Sequence, residues 1–207
     1  MLTVEKTHVY DCFKDAARGA RNAFSSWHLG DSDVVDGDGL GPADLALLKR
    51  LILAGTDHGK IARGITLSCD ITAPLYWWKQ MDQYKVGTVT SSTSTMHTVH
   101  KNRFTRDDFS HENLYESGLR WLDRTIDELN LARSVYLDTE NKQDWDQIIQ
   151  MLPSSYNQKR TWWGNYQVLR DIYFSRRNHK LAEWHTFCNW IETLPYAKDL
   201  IIAEKEK

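Results

Sequence analysis

Between residues 65 and 72 hydrophobic and polar side chains alternate without a break. Ile65, Leu67, Cys69 and Ile71 fall on one face, and Thr66, Ser68, Asp70 and Thr72 on the other. That period of two predicts a half-buried strand, and Pro74 is expected to end its ladder. Elsewhere the period is helical. Residues 42–54 open with Pro42, close on Gly55 and carry Leu45, Leu48 and Leu51 at helical spacing, which predicts an amphipathic helix. A short helix is expected from Pro74 to about Tyr84, then a hydroxyl-rich loop or edge strand over 87–98. The longest helix is predicted over about 111–136, with Tyr115, Leu119, Leu122, Ile126 and Leu129 as its apolar stripe and Ser110 as its cap. After Pro153 two more helices are expected, about 161–178 and 181–193. The pattern predicts an α+β chain, helix-rich, with a few strands in its first half and a single domain over 1–207.

Composition narrows the function. The 207 residues carry 26 basic and 28 acidic side chains, so a general polyanion binder is not expected and nucleic acid is not a predicted partner. Apolar runs fall short of the roughly 20 residues that cross a bilayer, and the N-terminus lacks the charged and apolar regions of a signal peptide. Three cysteines without a C-x-x-C pair suit a reducing cytoplasm better than a disulfide framework. Nine tryptophans, two pairs of them adjacent as Trp77-Trp78 and Trp162-Trp163, suggest either a dense core or a surface that stacks an aromatic ligand.

Common chemical signatures are missing: no P-loop, no dinucleotide-binding glycine motif and no nucleophile elbow. The Asp-x-Asp repeats in the acidic, Gly-rich segment 30–39 lack the order and closing Glu of an EF-hand loop. His97 and His100, and His179 and His185, approach ligand spacing without a carboxylate or thiol in register, so no metal site is predicted. The hydroxyl run Thr88, Thr90, Ser91, Ser92, Thr93, Ser94, Thr95 is compatible with phosphate contacts. On a continuous helix over 161–178, Asn165, Leu169, Ile172 and Arg176 would share one stripe, placing an amide and a guanidinium among apolar residues.

The order of these features resembles the flavin-dependent thymidylate synthases. His58 stands where that family's flavin-contacting His stands, followed by the strand 65–72 and Ala73-Pro74. Gln80 lies three residues ahead of the family signature, Arg-His-Arg-x-x-Ser-x-x-x-x-Ser-x-Arg, which falls on 83–95. Leu152-Pro153, Asn165 with Leu169, and Ala182-Glu183-Trp184 match later segments, so the likeness covers roughly residues 8–195. It implies a helix-rich fold with a small antiparallel sheet. It also implies a homotetramer that binds FAD and a dUMP-like nucleotide, with NADPH and methylenetetrahydrofolate as co-reactants for methylation at the uracil C5. On that likeness His58, Gln83, Tyr84, Lys85, Asn165 and Gln167 would hold the cofactor. Gln80, Ser91, Thr93, Thr95 and Arg176 would hold the nucleotide, with Arg176 also the catalytic residue and Arg177 its alternative.

The chain departs from the family where phosphates are bound. Gln83, Thr95, Gln167 and Ile149 replace arginines, and Tyr84 replaces the signature His. Hydrogen bonds to charged groups contribute about 1.5–3 kcal/mol each, so four such losses weaken phosphate binding by several kcal/mol unless other groups compensate. Three readings follow: a divergent flavin enzyme acting on a pyrimidine nucleotide, a catalytically inactive homologue serving as a binding or scaffold subunit, and the same fold turned to another aromatic ligand.

Overall fold

A computed structural model describes residues 1–37 and 39–205. The elements run β1 (Thr3–Val9), α1 (Phe13–Ala20), α2 (Pro42–Ala54), β2 (Thr66–Pro74), α3 (Leu75–Met81), β3 (Val89–Ser92), α4 (Thr95–Thr98), α5 (Glu116–Thr139), α6 (Lys142–Met151), β4 (Asn157–Asn165), α7 (Tyr166–Arg176), α8 (Ala182–Glu192) and α9 (Ala197–Leu200). The strands form a four-stranded antiparallel sheet in the order β1-β2-β4-β3, within a helix-rich α+β chain as predicted.

The chain divides into two compact units. The first comprises residues 1–3, 71–83 and 91–161, and the second comprises 4–70, 84–90 and 162 onward. In the first unit α5 packs on α6 through Leu122, Ile126, Leu129, Ala132 and Ile148, joined by Val99, Phe104 and Phe109. This apolar stripe is the predicted one moved a turn later. Tyr115 is exposed at the N-cap position of α5 without a side-chain capping bond, and Ser110 donates its hydroxyl to Asn157 Oδ1 (2.8 Å) and does not cap the helix. In the second unit aromatic rings dominate the core. Phe13 meets Tyr166 and Tyr196 edge-on at 5.6 and 5.1 Å, and Phe187 meets Trp162, Trp184 and Trp190.

α2 spans 42–54 as predicted, with Pro42 at its first turn and Gly55, at φ 121°, ending it. Its buried residues are Asp44, Leu48 and Ile52; of the predicted leucines Leu48 is buried and Leu45 and Leu51 are half-buried on the same side. The carboxylate of Asp44 tolerates burial because Arg21 Nε and Nη2 both lie 2.6 Å from its Oδ1, while Ser32 N and Oγ donate to Oδ2 at 3.0 and 2.6 Å. The acidic segment serves α2 as well: the Asp31 carboxylate accepts from Ala43 N (2.8 Å) and Asp44 N (3.0 Å) at the helix start. Asp38, the last acid of the Asp-x-Asp pattern, lies outside the described residues.

β2 follows the predicted alternation, with Leu67, Cys69, Ile71 and Ala73 buried, and Pro74 is its last residue. The principal correction is β4. Residues 157–165 form a strand, so Asn165 is not inside a helix; it is the N-cap of α7, its Oδ1 accepting from Val168 N at 3.0 Å. The segment 157–165 buries Gln158, Trp162, Gly164 and Asn165, a set with no hydrophobic period to read. β1 and α6 are further elements that the sequence pattern does not predict, and β4 places a strand in the second half of the chain.

Trp77, Trp78, Trp162 and Trp184 are fully buried, so the core accounts for most of the paired tryptophans. Gly164 is the residue that permits this at β4, because a Cβ there would collide with the Trp162 indole.

Candidate functional site

In the second unit, α7 carries Arg176 at its C-terminal end, beside Tyr84 and Trp184. Arg176 Nε donates to Tyr84 Oη at 2.8 Å, and the guanidinium carbon lies 4.8 Å from the Trp184 ring centre and 5.5 Å from that of Tyr84. Tyr84 and Trp184 meet edge-on at 6.2 Å. A guanidinium held by a directed hydrogen bond and by contact with aromatic faces has a fixed plane, the property that makes arginine suited to planar anionic groups. Burial, followed by the charges of Arg176, His185 and Lys180, holds His179 below the ordinary histidine range.

Next to this cluster the turn after Tyr84 is tied down. Thr88 Oγ1 donates to Tyr84 O (2.6 Å), and Asn165 Nδ2 donates to Gly87 O (3.3 Å). Gly87 has φ 72°, and a Cβ there would approach Asn165 Nδ2 to 2.7 Å, so both backbone angle and space call for glycine. Asn165 therefore has both ends of its amide engaged, one on Val168 N and one on Gly87 O. Gln167 is buried and donates to Asp171 Oδ1 at 2.9 Å. Lys85 is exposed in the turn, and His58 is exposed just ahead of the 3-10 turn 59–64. Among the described residues His58 makes no hydrogen bond to the other candidates.

In the first unit the hydroxyl segment is held by a residue the sequence did not single out. Buried Gln158 donates through Nε2 to Thr93 O (2.8 Å) and Thr95 Oγ1 (3.3 Å), and its Oε1 accepts from Arg160 Nε (3.0 Å). Arg160 lies 4.2 Å above the Trp78 ring centre and pairs with Asp82 at 2.8 Å. A cavity of about 140 Å³ opens here, lined by Thr72, Thr93, Thr95, Asn157, Gln158 and Lys159. Ser91 is exposed on β3, Gln83 is exposed at the end of α3, and Gln80 is half-buried on that helix. Only alternating polar residues, Gln158 and Arg160 on one strand face, would have signalled this arrangement.

Other candidates resolve into structural roles. Another cavity, about 240 Å³, lies against the Arg21–Asp44 pair and is lined by Lys14, Arg18, Trp27 and Asp33, none of which the resemblance assigns. His179 Nδ1 accepts from Leu181 N (3.1 Å), and His185 Nε2 contacts His179 O (2.6 Å). Among the described residues no three His, Cys, Asp or Glu side chains come together as a metal site, and no helix is long and apolar enough to cross a membrane.

Neither a protein-family model nor a curated protein matches the sequence. Solved structures do match it. Thymidylate Synthase X from Helicobacter pylori, solved with FAD and dUMP, superposes with a TM-score of 0.72 at 16% identity, over 98% of each chain. The UMP/dUMP methylase PolB from Streptomyces cacaoi, bound with 5-Br dUMP, superposes with a TM-score of 0.67 at 14% identity, over 99% of this chain and 96% of that one. From end to end, the chain has the fold of the flavin-dependent thymidylate synthases and of this related methylase.

Proposed function

We propose that the protein binds a pyrimidine nucleotide of the dUMP type and serves chemistry at C5 of its base, with Arg176 facing the base. The observation that carries this is the fixed Arg176 guanidinium, held by Tyr84 and Trp184 at the position the resemblance assigns to the base contact. Such a cation stabilises the negative charge that spreads onto a pyrimidine carbonyl as C5 becomes nucleophilic. The shared fold of two nucleotide-bound enzymes supports it.

The residues present do not fit the family's flavin. FAD brings two phosphates, and Gln83 and Gln167, both assigned to the cofactor, stand where the resemblance expects arginines. The Gln167 amide is engaged by Asp171, and that of Asn165 by Val168 and Gly87. Nucleotide binding is accordingly proposed to be independent of flavin. A second reading, FAD-dependent methylation with NADPH and methylenetetrahydrofolate in a cytoplasmic homotetramer, is favoured by the extent of the shared fold. The catalytically inactive binding subunit is the limiting case of the first reading.

Thermal melting of protein purified without added cofactor tests both. A ligand at 100 times its dissociation constant stabilises the native state by about 2.7 kcal/mol, or roughly 5–10 °C for a chain of this size. dUMP or UMP is expected to raise the melting temperature by that amount with no flavin present. No response to any pyrimidine nucleotide contradicts the proposal, and a bound flavin spectrum in the visible range moves the weight to the second reading.

A further inference from the structure

The cavity of about 240 Å³ against the Arg21–Asp44 pair lies wholly within the second unit, and its floor is a buried cation. The Arg21 side chain is only 7% exposed; its Nε and Nη2 face Asp44 Oδ1, and its Nη1 reaches Ser26 O at 3.4 Å. A guanidinium has five N–H groups. Two of those on Arg21 therefore have no acceptor among the described residues. Asp44 is already saturated, because its Oδ2 accepts from Asp31 N, Ser32 N and Ser32 Oγ. Gly30 keeps the pair open to the cavity, since a Cβ there would stand 3.6 Å from Arg21 Nε and 3.7 Å from Asp44 Oδ2.

The walls add one unpaired charge of each sign. Lys14 Nζ donates to Val35 O at 2.9 Å and, among the described residues, meets no carboxylate; Asp33 likewise meets no cation. Lys14 and Asp33 thus line one small cavity without pairing with each other. Between them stands the Trp27 indole, 51% exposed and held by its Nε1 bond to Asn22 Oδ1 at 2.8 Å. A purely anionic ligand would satisfy Lys14 and Arg21 but repel Asp33, and a purely cationic one would do the reverse. A molecule with both charges satisfies all three, its carboxylate on the Lys14 and Arg21 donors and its ammonium on Asp33 and the Trp27 face. The volume is below the roughly 300–1,000 Å³ of pockets for drug-sized ligands, so the two charges must be only a few bonds apart. An α-amino acid has that geometry.

We propose that this cavity is a binding site for a free α-amino acid, a zwitterion held at its two charged ends. The site is lined by residues that the resemblance does not assign, and it stands independently of the nucleotide reading above.

Thermal melting of the full chain against the common L-amino acids, one at a time, tests it. At least one should raise the melting temperature, by about 5–10 °C at 100 times its dissociation constant. Calorimetric titration then compares that amino acid with its N-acetyl derivative, which lacks the ammonium, and with its primary amide, which lacks the carboxylate. Each derivative should bind at least about tenfold more weakly. Asp33→Asn should weaken the amino acid about tenfold and leave the N-acetyl derivative unchanged; Lys14→Met should weaken it about tenfold and leave the amide unchanged. Unchanged circular-dichroism melts of the two variants without ligand confirm that the fold is kept. No response to any amino acid overturns the proposal, as do derivatives that bind as well as the parent, or variants that bind all three ligands like wild type.

Discussion

Replacing Asp44 by Asn leaves the Arg21 guanidinium buried without its counter-charge. The two side chains are 3% and 6% exposed, and the carboxylate receives two nitrogens of Arg21 and three groups of the 31–32 segment. Removing one member of a buried pair typically costs about 3–5 kcal/mol. At roughly 2–4 °C per kcal/mol for a chain of this length, the melting temperature should fall by about 6–20 °C, measured by circular dichroism at pH 7. The pH dependence has a definite sign. Burial pushes the Asp44 carboxyl up, but hydrogen bonds from Ser32, Arg21 and the Asp31 and Ser32 backbone outweigh it, so the folded value lies below the ordinary aspartate value. Its contribution is therefore complete above that value and is lost as pH falls below it through the lowered folded value. The gap between wild type and Asp44→Asn should narrow over that acid limb. A drop of less than about 1 kcal/mol at pH 7, typical of an exposed ion pair, would refute the reasoning.

Three further outcomes follow from particular contacts. Gly164→Ala should destabilise by about 1–3 kcal/mol in a denaturant melt, because its methyl would drive into the buried Trp162 indole; a neutral effect would mean that the indole can move aside. Gln158→Leu leaves Thr93 O, Thr95 Oγ1 and Arg160 Nε without their partner, and amide hydrogen exchange should accelerate over 91–95 while α5 is unchanged. Burial pushes the Cys69 and Cys188 thiols up to about 12 and about 11, so native protein at pH 8 should titrate with a thiol reagent at Cys12 alone, and at all three cysteines once unfolded; fast labelling of Cys69 would contradict this.

What the sequence revealed depended on how locally each element is determined. β2 and α2 were legible because their side chains repeat at the period of the backbone and Pro42 and Gly55 mark the helix ends. β4 was not, because Gln158 and Asn165 are buried by hydrogen bonds to residues distant in sequence, and Gly164 by a tryptophan two positions away. α6 carries a single fully buried residue, Ile148, and stands because α5 packs on it. At the candidate site the likeness to a family picked out Arg176 and Tyr84 separately, 92 residues apart, and only folding shows them bonded. The alternation of Gln158 and Arg160 was the one local signal there and the Arg21–Asp44 pair had none, since polar residues within strands and helices are ordinarily surface residues. The paired tryptophans invited a stacking surface; burial of Trp77, Trp78, Trp162 and Trp184 assigns them to packing.

The central claim is that Arg176 contacts the base of a pyrimidine nucleotide, and calorimetric titration of dUMP into flavin-free wild type and Arg176→Gln tests it most directly. A hydrogen bond from a charged group contributes about 1.5–3 kcal/mol, so the variant should bind roughly 10–150 times more weakly than wild type. Equal affinity in the two proteins, or no binding to the wild type, would contradict the account.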